Sequence, residues 1–213
     1  MASARRAYPS PCRRLEVRVL LLGSERPSLE GYLTGVGDEV TRTDAPLLAA
    51  SLVANKYDFL VSYGYRHLIR QDWLWAMPSQ IVNLHISYLP WNRGSDPNLW
   101  SFVDDTPKGV SIHFVDGGLD TGPLVARRKV FPEPGDTLAS SYARLSAAVE
   151  DLFRESWPAI RAGSVTPVPQ PPGGSCHRLK DRERVAHLLT RGWDTPVEKL
   201  MKSFRILTEK PNA

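Results

Sequence analysis

The 213-residue sequence holds only two cysteines, Cys12 and Cys176. Scaffolds stapled by disulfides are far denser in cysteine, so a disulfide framework is excluded, and both residues read as free thiols of a reducing, cytoplasmic compartment. No apolar stretch suggests a membrane span: the run Val17 to Leu22 is too short, and no small-residue cleavage site follows it. A surplus of positive charge is also lacking outside the first fourteen residues. Lys and Arg number 27 against 23 Asp and Glu, a net charge of +4. Arg5, Arg6, Arg13 and Arg14, in an acid-free start, account for that excess. The remainder is neutral, which argues against nucleic acid as the main partner, since phosphate-backbone binding depends on a surplus of Lys and Arg.

What is present is an ordinary globular composition, 42% hydrophobic, in a chain long enough for one domain with a small appendage. Val17 to Leu22, ending at Gly23, reads as the first buried strand of a parallel sheet. A helix-compatible stretch covers Leu29 to Leu33, and APLLAASLVANK (45–56) is helical in composition. Asp58 to Tyr63 reads as a second strand closed by Gly64, Tyr65 to Met77 as a helix stopped by Pro78, and Ile81 to Ser87 as a third strand. This alternation predicts a Rossmann-like, doubly wound α/β fold with a mostly parallel sheet. Two further strands, Gly109 to Val115 and Leu124 to Phe131, flank the loop DGGLDTGP. Asp136 is the expected N-cap of a long helix with Leu138, Tyr142, Leu145, Val149, Leu152 and Phe153 on one face, kinked or ended by Pro158. The expected organisation is a disordered basic arm (1–14), a catalytic domain (15–162), a Pro/Gly linker (163–175) and a short appendage (176–213) with helical patches at 182–189 and 196–204.

Two segments carry chemistry. In IVNLHIS (81–87), strand alternation puts Asn83, His85 and Ser87 on one face. Three polar groups on so apolar a strand require partners or a cleft, and the C-terminal edge of an open α/β sheet is where ligands bind. From this segment alone, an edge strand with a wetted face is an equal alternative. The second segment, SIHFVDGGLDTGP (111–123), sets Asp120 in a loop with three glycines that let a backbone approach a ligand closely. No Lys-Ser or Lys-Thr pair follows them, which disfavours a phosphate loop. Alone, this segment also fits a plain hairpin connection.

Together, Asn83-Leu84-His85-Ile86-Ser87-Tyr88-Leu89-Pro90 and His113-Phe114-Val115-Asp116-Gly117-Gly118-Leu119-Asp120-Thr121-Gly122-Pro123 resemble the paired motifs of the folate-dependent formyltransferases in composition and spacing. The resemblance spans about residues 16 to 162. It implies a catalytic set of Asn83, His85 and Asp120, with 10-formyltetrahydrofolate as co-substrate and no metal. It places the folate against Tyr63, Gly64, His67, Leu68 and Ile69 and the backbone of Asp116, Gly117, Gly118 and Leu119. His67 departs from the Arg of the glycinamide-ribonucleotide branch.

In such a set, an amine attacks the formyl carbon. The Asn83 amide and His85 imidazole donate to the resulting oxyanion, and Asp120 holds His85 and relays the amine's proton through water. His113 is assigned to packing or loop support. LPWNRGSDPNLW (89–100) resembles the formyltransferases of nucleotide-linked amino sugars and of methionyl-tRNA, and Ser87 and Arg93 are the expected acceptor contacts, Arg93 either to a phosphate or as a loop brace. Only 38 residues follow residue 175, too few for the basic second domain of the initiator-tRNA enzymes, and the tail resembles that of stand-alone sugar N-formyltransferases. The expected acceptor is therefore a small, phosphate-bearing amine, most simply that of a nucleotide-linked amino sugar. No nucleic acid or membrane is expected, and a homodimer is allowed for. Another small-molecule or carrier-bound amine, or a non-catalytic folate-binding relative, is the alternative.

Overall fold

A computed structural model describes residues 16–201. The proposed arm at 1–14 and the tail beyond Met201 lie outside them. Six strands form the central sheet: β1 (Arg18–Leu22), β2 (Glu39–Thr43), β3 (Phe59–Ser62), β4 (Ile81–His85), β6 (Gly109–Phe114) and β7 (Leu124–Lys129), in the order β2-β1-β3-β4-β6-β7. β5 (Arg93–Gly94) and β8 (Cys176–His177) form a separate parallel pair. The first four strands of the sheet are parallel, and β6 and β7 are antiparallel to their neighbours. The mostly parallel doubly wound sheet anticipated from the sequence is thus present, with an antiparallel edge.

The helices are α1 (Pro27–Gly35), α2 (Ala49–Ala54), α3 (Gln71–Ala76), α4 (Pro97–Val103) and α5 (Leu138–Arg161). One sheet face packs Val19, Leu21, Val61, Val82, Leu84 and Ile112 against α1 and α5. The other packs Leu20, Leu22, Leu60 and Ile81 under α2 and α3. On that second face the apolar cover stops at β4, where the register continues with Asn83 beside His113 and His85 beside Ser111. The polar face anticipated for 81–87 is therefore a largely buried continuation of this sheet face, covered by the β6–β7 loop rather than by a helix.

Several local expectations change. β2 has an exposed, polar sequence, EVTRT, and carries no apolar run because an edge strand needs only one hydrogen-bonded neighbour. α2 starts at Ala49 rather than Ala45, since Pro46 disfavours helical backbone in the residue before it. α3 covers only Gln71–Ala76, and 65–70 is loop. α4, not anticipated, begins on Pro97 and is buried all round, so it shows no amphipathic stripe. Thr137, not Asp136, caps α5. Its side chain accepts from Ser140 N, and Ser140 Oγ accepts from Thr137 N in a reciprocal box. Asp136 instead receives both Arg144 guanidinium nitrogens at 2.6 and 2.8 Å.

Pro158 does not end α5, which continues to Arg161. The proline removes the N–H that the Arg154 carbonyl would accept, and the Tyr32 hydroxyl donates to that carbonyl instead, at 2.9 Å. The last turn is anchored by buried Asp38, which accepts from Trp157 Nε1 (2.8 Å) and Arg161 Nε (2.7 Å). Tyr142, expected on the buried face, is 42% exposed.

The C-terminal segments are part of this body. Val185, Leu188, Val197 and Leu200 pack on Leu99, Phe102 and Val103 of α4 and on Leu138. Residues 163–175, read from composition as a linker, lie across the β4–β5 and β6–β7 loops, with Val168 and Leu124 exchanging main-chain hydrogen bonds.

Candidate active site

The cluster sits at the boundary between β4 and the antiparallel edge. Asn83 and His85 project from β4 and His113 from β6 on the same face, and Asp120 comes back over them from the β6–β7 loop. Asp120 has a left-handed backbone, φ 52°, a conformation that Asp and Asn adopt more readily than most residues. This turns its carboxylate inward, leaving the side chain 13% exposed.

Four groups converge on that carboxylate. Gly94 N donates to Oδ2 (2.8 Å) and Asn83 Nδ2 to Oδ1 (3.0 Å). His85 Nδ1 faces Oδ2 at 3.6 Å and His113 Nε2 faces Oδ1 at 3.4 Å. Burial would raise the Asp120 pKa, but the His85 and His113 rings and the Gly94 N–H outweigh it and hold the carboxyl well below the usual carboxylate range.

The imidazoles are fixed from behind. His85 Nε2 lies 3.0 Å from the Asn92 carbonyl, so a proton there leaves Nδ1 as the atom turned to Asp120 and the cleft. His113 Nδ1 lies 2.9 Å from the Phe114 carbonyl. A proton on Nε2 faces Asp120 Oδ1, 3.4 Å away; in the other tautomer, with the proton on Nδ1, Nε2 accepts the second Asn83 N–H, 3.2 Å away. His113, expected only to pack or support the loop, thus joins the cluster directly. In the second tautomer both Asn83 N–H bonds are engaged, so donating to an oxyanion requires the ligand to draw one of them off.

The structure separates the other expected residues. Tyr63 follows Ser62 by one position, so alternation puts its ring on the opposite face, in the α5-side core. There it is 4% exposed, stacks under the Arg26 guanidinium (4.2 Å), and has its hydroxyl pushed up to about 12 by burial. As a side-chain contact to folate Tyr63 is withdrawn. Gly64 turns the chain at φ 68°. His67 Nε2 pairs with the Asp44 carbonyl (3.1 Å), Ile69 packs into the α2–α3 core, and Leu68 is 79% exposed.

The Asp116–Leu119 loop lies alongside this stretch, since a Cβ at Gly117 would stand 3.1 Å from Gln71 Oε1. Asp116 Oδ1 accepts from Gly118 N (3.0 Å) and Thr121 Oγ1 (2.7 Å), which fixes the loop, and Leu119 remains 45% exposed. Ser87 is also withdrawn as an acceptor contact. β4 ends at His85, and Ser87 is 2% exposed with its carbonyl accepting from Ser111 Oγ (2.7 Å). Arg93 Nε and Nη2 both donate to Gln170 Oε1, at 3.1 and 2.8 Å, the geometry of the brace alternative. Asn92, Gln170 and Ser175 were not singled out from the sequence; an Asn beside the motif was the only local signal.

A polar cluster at the strand ends of an open α/β sheet stands where such folds bind ligands, and comparison with known proteins gives the family. The formyl transferase family model matches residues 39–155, more than half of the chain, and the chain belongs to that family. It is 33% identical over 169 residues to the dTDP-4-amino-4,6-dideoxyglucose formyltransferase of Mycobacterium bovis, covering 78% of this chain and 71% of that protein. It is 37% identical over 135 residues to the methionyl-tRNA formyltransferase of Myxococcus xanthus, covering 63% of this chain but only 43% of the relative's length. Among solved structures, it matches the formyltransferase PseJ from Anoxybacillus kamchatkensis in complex with UDP-4,6-dideoxy-4-formamido-L-AltNAc and tetrahydrofolate, with a TM-score of 0.83 and 51% identity over 86% of this chain and 97% of that one.

Proposed function

We propose that this protein transfers the formyl group of 10-formyltetrahydrofolate to the amine of a nucleotide-linked amino sugar, with a UDP-linked 4-amino sugar the first acceptor to test. The observation that carries the reading is the convergence of Asn83, His85 and Asp120 at the C-terminal end of β4. The 51% identity to a protein crystallised with a formamido sugar nucleotide and tetrahydrofolate supports it.

The chemistry follows from the geometry. A neutral amine attacks the formyl carbon, the carbon–oxygen double bond becomes an oxyanion, and the bond to folate N10 then breaks as that nitrogen takes up a proton. His85 Nδ1–H and an Asn83 N–H are the donors available to the oxyanion. A carboxylate held below its usual range is a weak proton acceptor. Asp120 therefore orients Asn83 and faces Nδ1 of His85, and it passes the amine's proton on through water rather than storing it. Leu68 and Leu119, exposed apolar groups on two neighbouring segments, suit the flat face of a pterin. A homodimer and a cytoplasmic location belong to the same proposal. Among the described residues no helix is long and apolar enough to cross a membrane.

The test is a direct assay of tetrahydrofolate release from 10-formyltetrahydrofolate with UDP- and dTDP-linked amino sugars and charged initiator tRNA as separate acceptors. Turnover with a sugar nucleotide and none with tRNA is expected; efficient formylation of tRNA alone would overturn the reading.

A further inference from the structure

Residues 170–177 join chemically to both halves of the cluster. Gln170 Nε2 donates to the main-chain carbonyls of Asp120 (2.7 Å) and Gly122 (2.9 Å), while its Oε1 takes the two Arg93 donors. Every polar atom of this side chain is occupied, and its two N–H bonds hold the carbonyls on either side of the turn that aims the Asp120 carboxylate. Five residues on, Ser175 Oγ accepts from Asn92 N (2.9 Å) and donates to Asn92 Oδ1 (3.0 Å).

Asn92 is fully buried and left-handed (φ 56°), and its Nδ2 is anchored to Thr106 Oγ1 at 2.8 Å. The one remaining main-chain acceptor, its carbonyl, is the group that receives His85 Nε2. Two routes therefore lead from a single segment: Gln170 to Asp120, and Ser175 through Asn92 to His85.

We propose that Gln170 and Ser175 are positioning residues for the transfer reaction, with residues 170–177 serving as a strap that sets the Asp120 carboxylate and the His85 ring in register with each other. This rests on the assignment of His85 and Asp120 under the proposed function. The strap supplies no group to the substrate. It fixes which imidazole nitrogen faces the cleft and how far the carboxylate stands from it. The 3.6 Å gap between His85 Nδ1 and Asp120 Oδ2 is long for a hydrogen bond, so small displacements at either anchor change the pairing. Misplacing a reacting group by about 1 Å costs on the order of a hundredfold in rate.

The experiment uses the full chain with Gln170→Ala, Ser175→Ala and Ser175→Thr. Steady-state rates with 10-formyltetrahydrofolate and the best sugar-nucleotide acceptor are read beside thermal melts and the imidazole nitrogen NMR signals of His85. Gln170→Ala and Ser175→Ala are expected to lower kcat by roughly ten- to a hundredfold with the folate KM little changed. Both should shift the pH profile of kcat. Ser175→Ala should disturb the His85 Nε2 signal, and Ser175→Thr, which keeps the hydroxyl, should restore both rate and signal. If Gln170→Ala melts below the assay temperature, the Ser175 pair decides, since it removes a single hydroxyl. Unchanged kcat in Ser175→Ala, or a loss that follows melting temperature with the pH profile and His85 signal intact, overturns the proposal. His85→Ala and Asp120→Ala in the same assay keep the two readings apart. If these retain turnover, the catalytic assignment fails. If they are dead while the strap variants are unaffected, only the strap fails.

Discussion

His85 turns Nδ1 toward the Oδ2 atom of Asp120, 3.6 Å away, while its other nitrogen is held by a main-chain carbonyl. Each residue thus limits what the other can do, and both contribute to one cluster. His85→Ala and Asp120→Ala are each expected to lower turnover by at least about a hundredfold, the scale of losing one preorganised donor. Because His85 ends a strand and Asp120 lies in a loop, the melting temperature should fall far less than activity does. Near wild-type turnover in either variant would refute the assignment.

Acid titration offers an independent view of Asp120. Its folded carboxyl titrates below the unfolded value, so its contribution to stability is fully present above the ordinary carboxylate pKa of about 4. That contribution is lost as the pH falls from there toward the folded value. The difference in melting temperature between wild type and Asp120→Asn should hold steady from neutral pH to about pH 5 and shrink below about pH 4. Asp136 titrates in the same window under its Arg144 clamp, which is why the difference from the variant, rather than the wild-type curve, is diagnostic.

Replacing Gly117 tests the folate slot. A side chain there meets Gln71 Oε1 at 3.1 Å, so Gly117→Val has to push Gln71 aside or narrow the gap between the two segments. Folate binding measured by fluorescence or calorimetry should weaken by roughly tenfold, about 1.4 kcal/mol. An unchanged dissociation constant would remove this loop from the folate site.

Arg93→Ala separates the two roles open to that guanidinium. As a brace for Gln170 it should lower kcat, with the acceptor KM shifting by less than about threefold. A phosphate contact would instead raise the acceptor KM and leave kcat nearly intact. The geometry favours the first pattern.

Tyr32→Phe tests how α5 tolerates Pro158. Deleting the hydroxyl leaves the Arg154 carbonyl without its replacement donor, and stability should drop by about 1 kcal/mol. In a chain of this size that is roughly 2–4 °C in melting temperature. Transfer kinetics should not change, because the pair lies on the far side of the sheet from Asn83.

Strand parity made part of this site legible in the sequence. Asn83 and His85 are two positions apart on an apolar strand, so they share a face whatever the rest of the chain does, and the Gly-rich loop bearing Asp120 announced itself by composition. The alternating strands and helices of the first half were readable for the same reason, because apolar periodicity records which faces are buried. Tertiary structure decided what periodicity does not record. β2 carries no apolar signal at a sheet edge, α4 carries no stripe because every side is buried, and the ring of Tyr63 left the cleft for the opposite core. Residues 163–175 are rich in Pro and Gly and look like a linker, because they are held by main-chain and amide hydrogen bonds rather than by buried apolar surface. Whether Arg93 meets a phosphate or Gln170, 77 positions away, is set by the path of the backbone, as is the nitrogen of His85 that the Asn92 carbonyl holds. Hydrogen bonds between residues distant in sequence leave no local pattern, and only the folded chain brings their partners together.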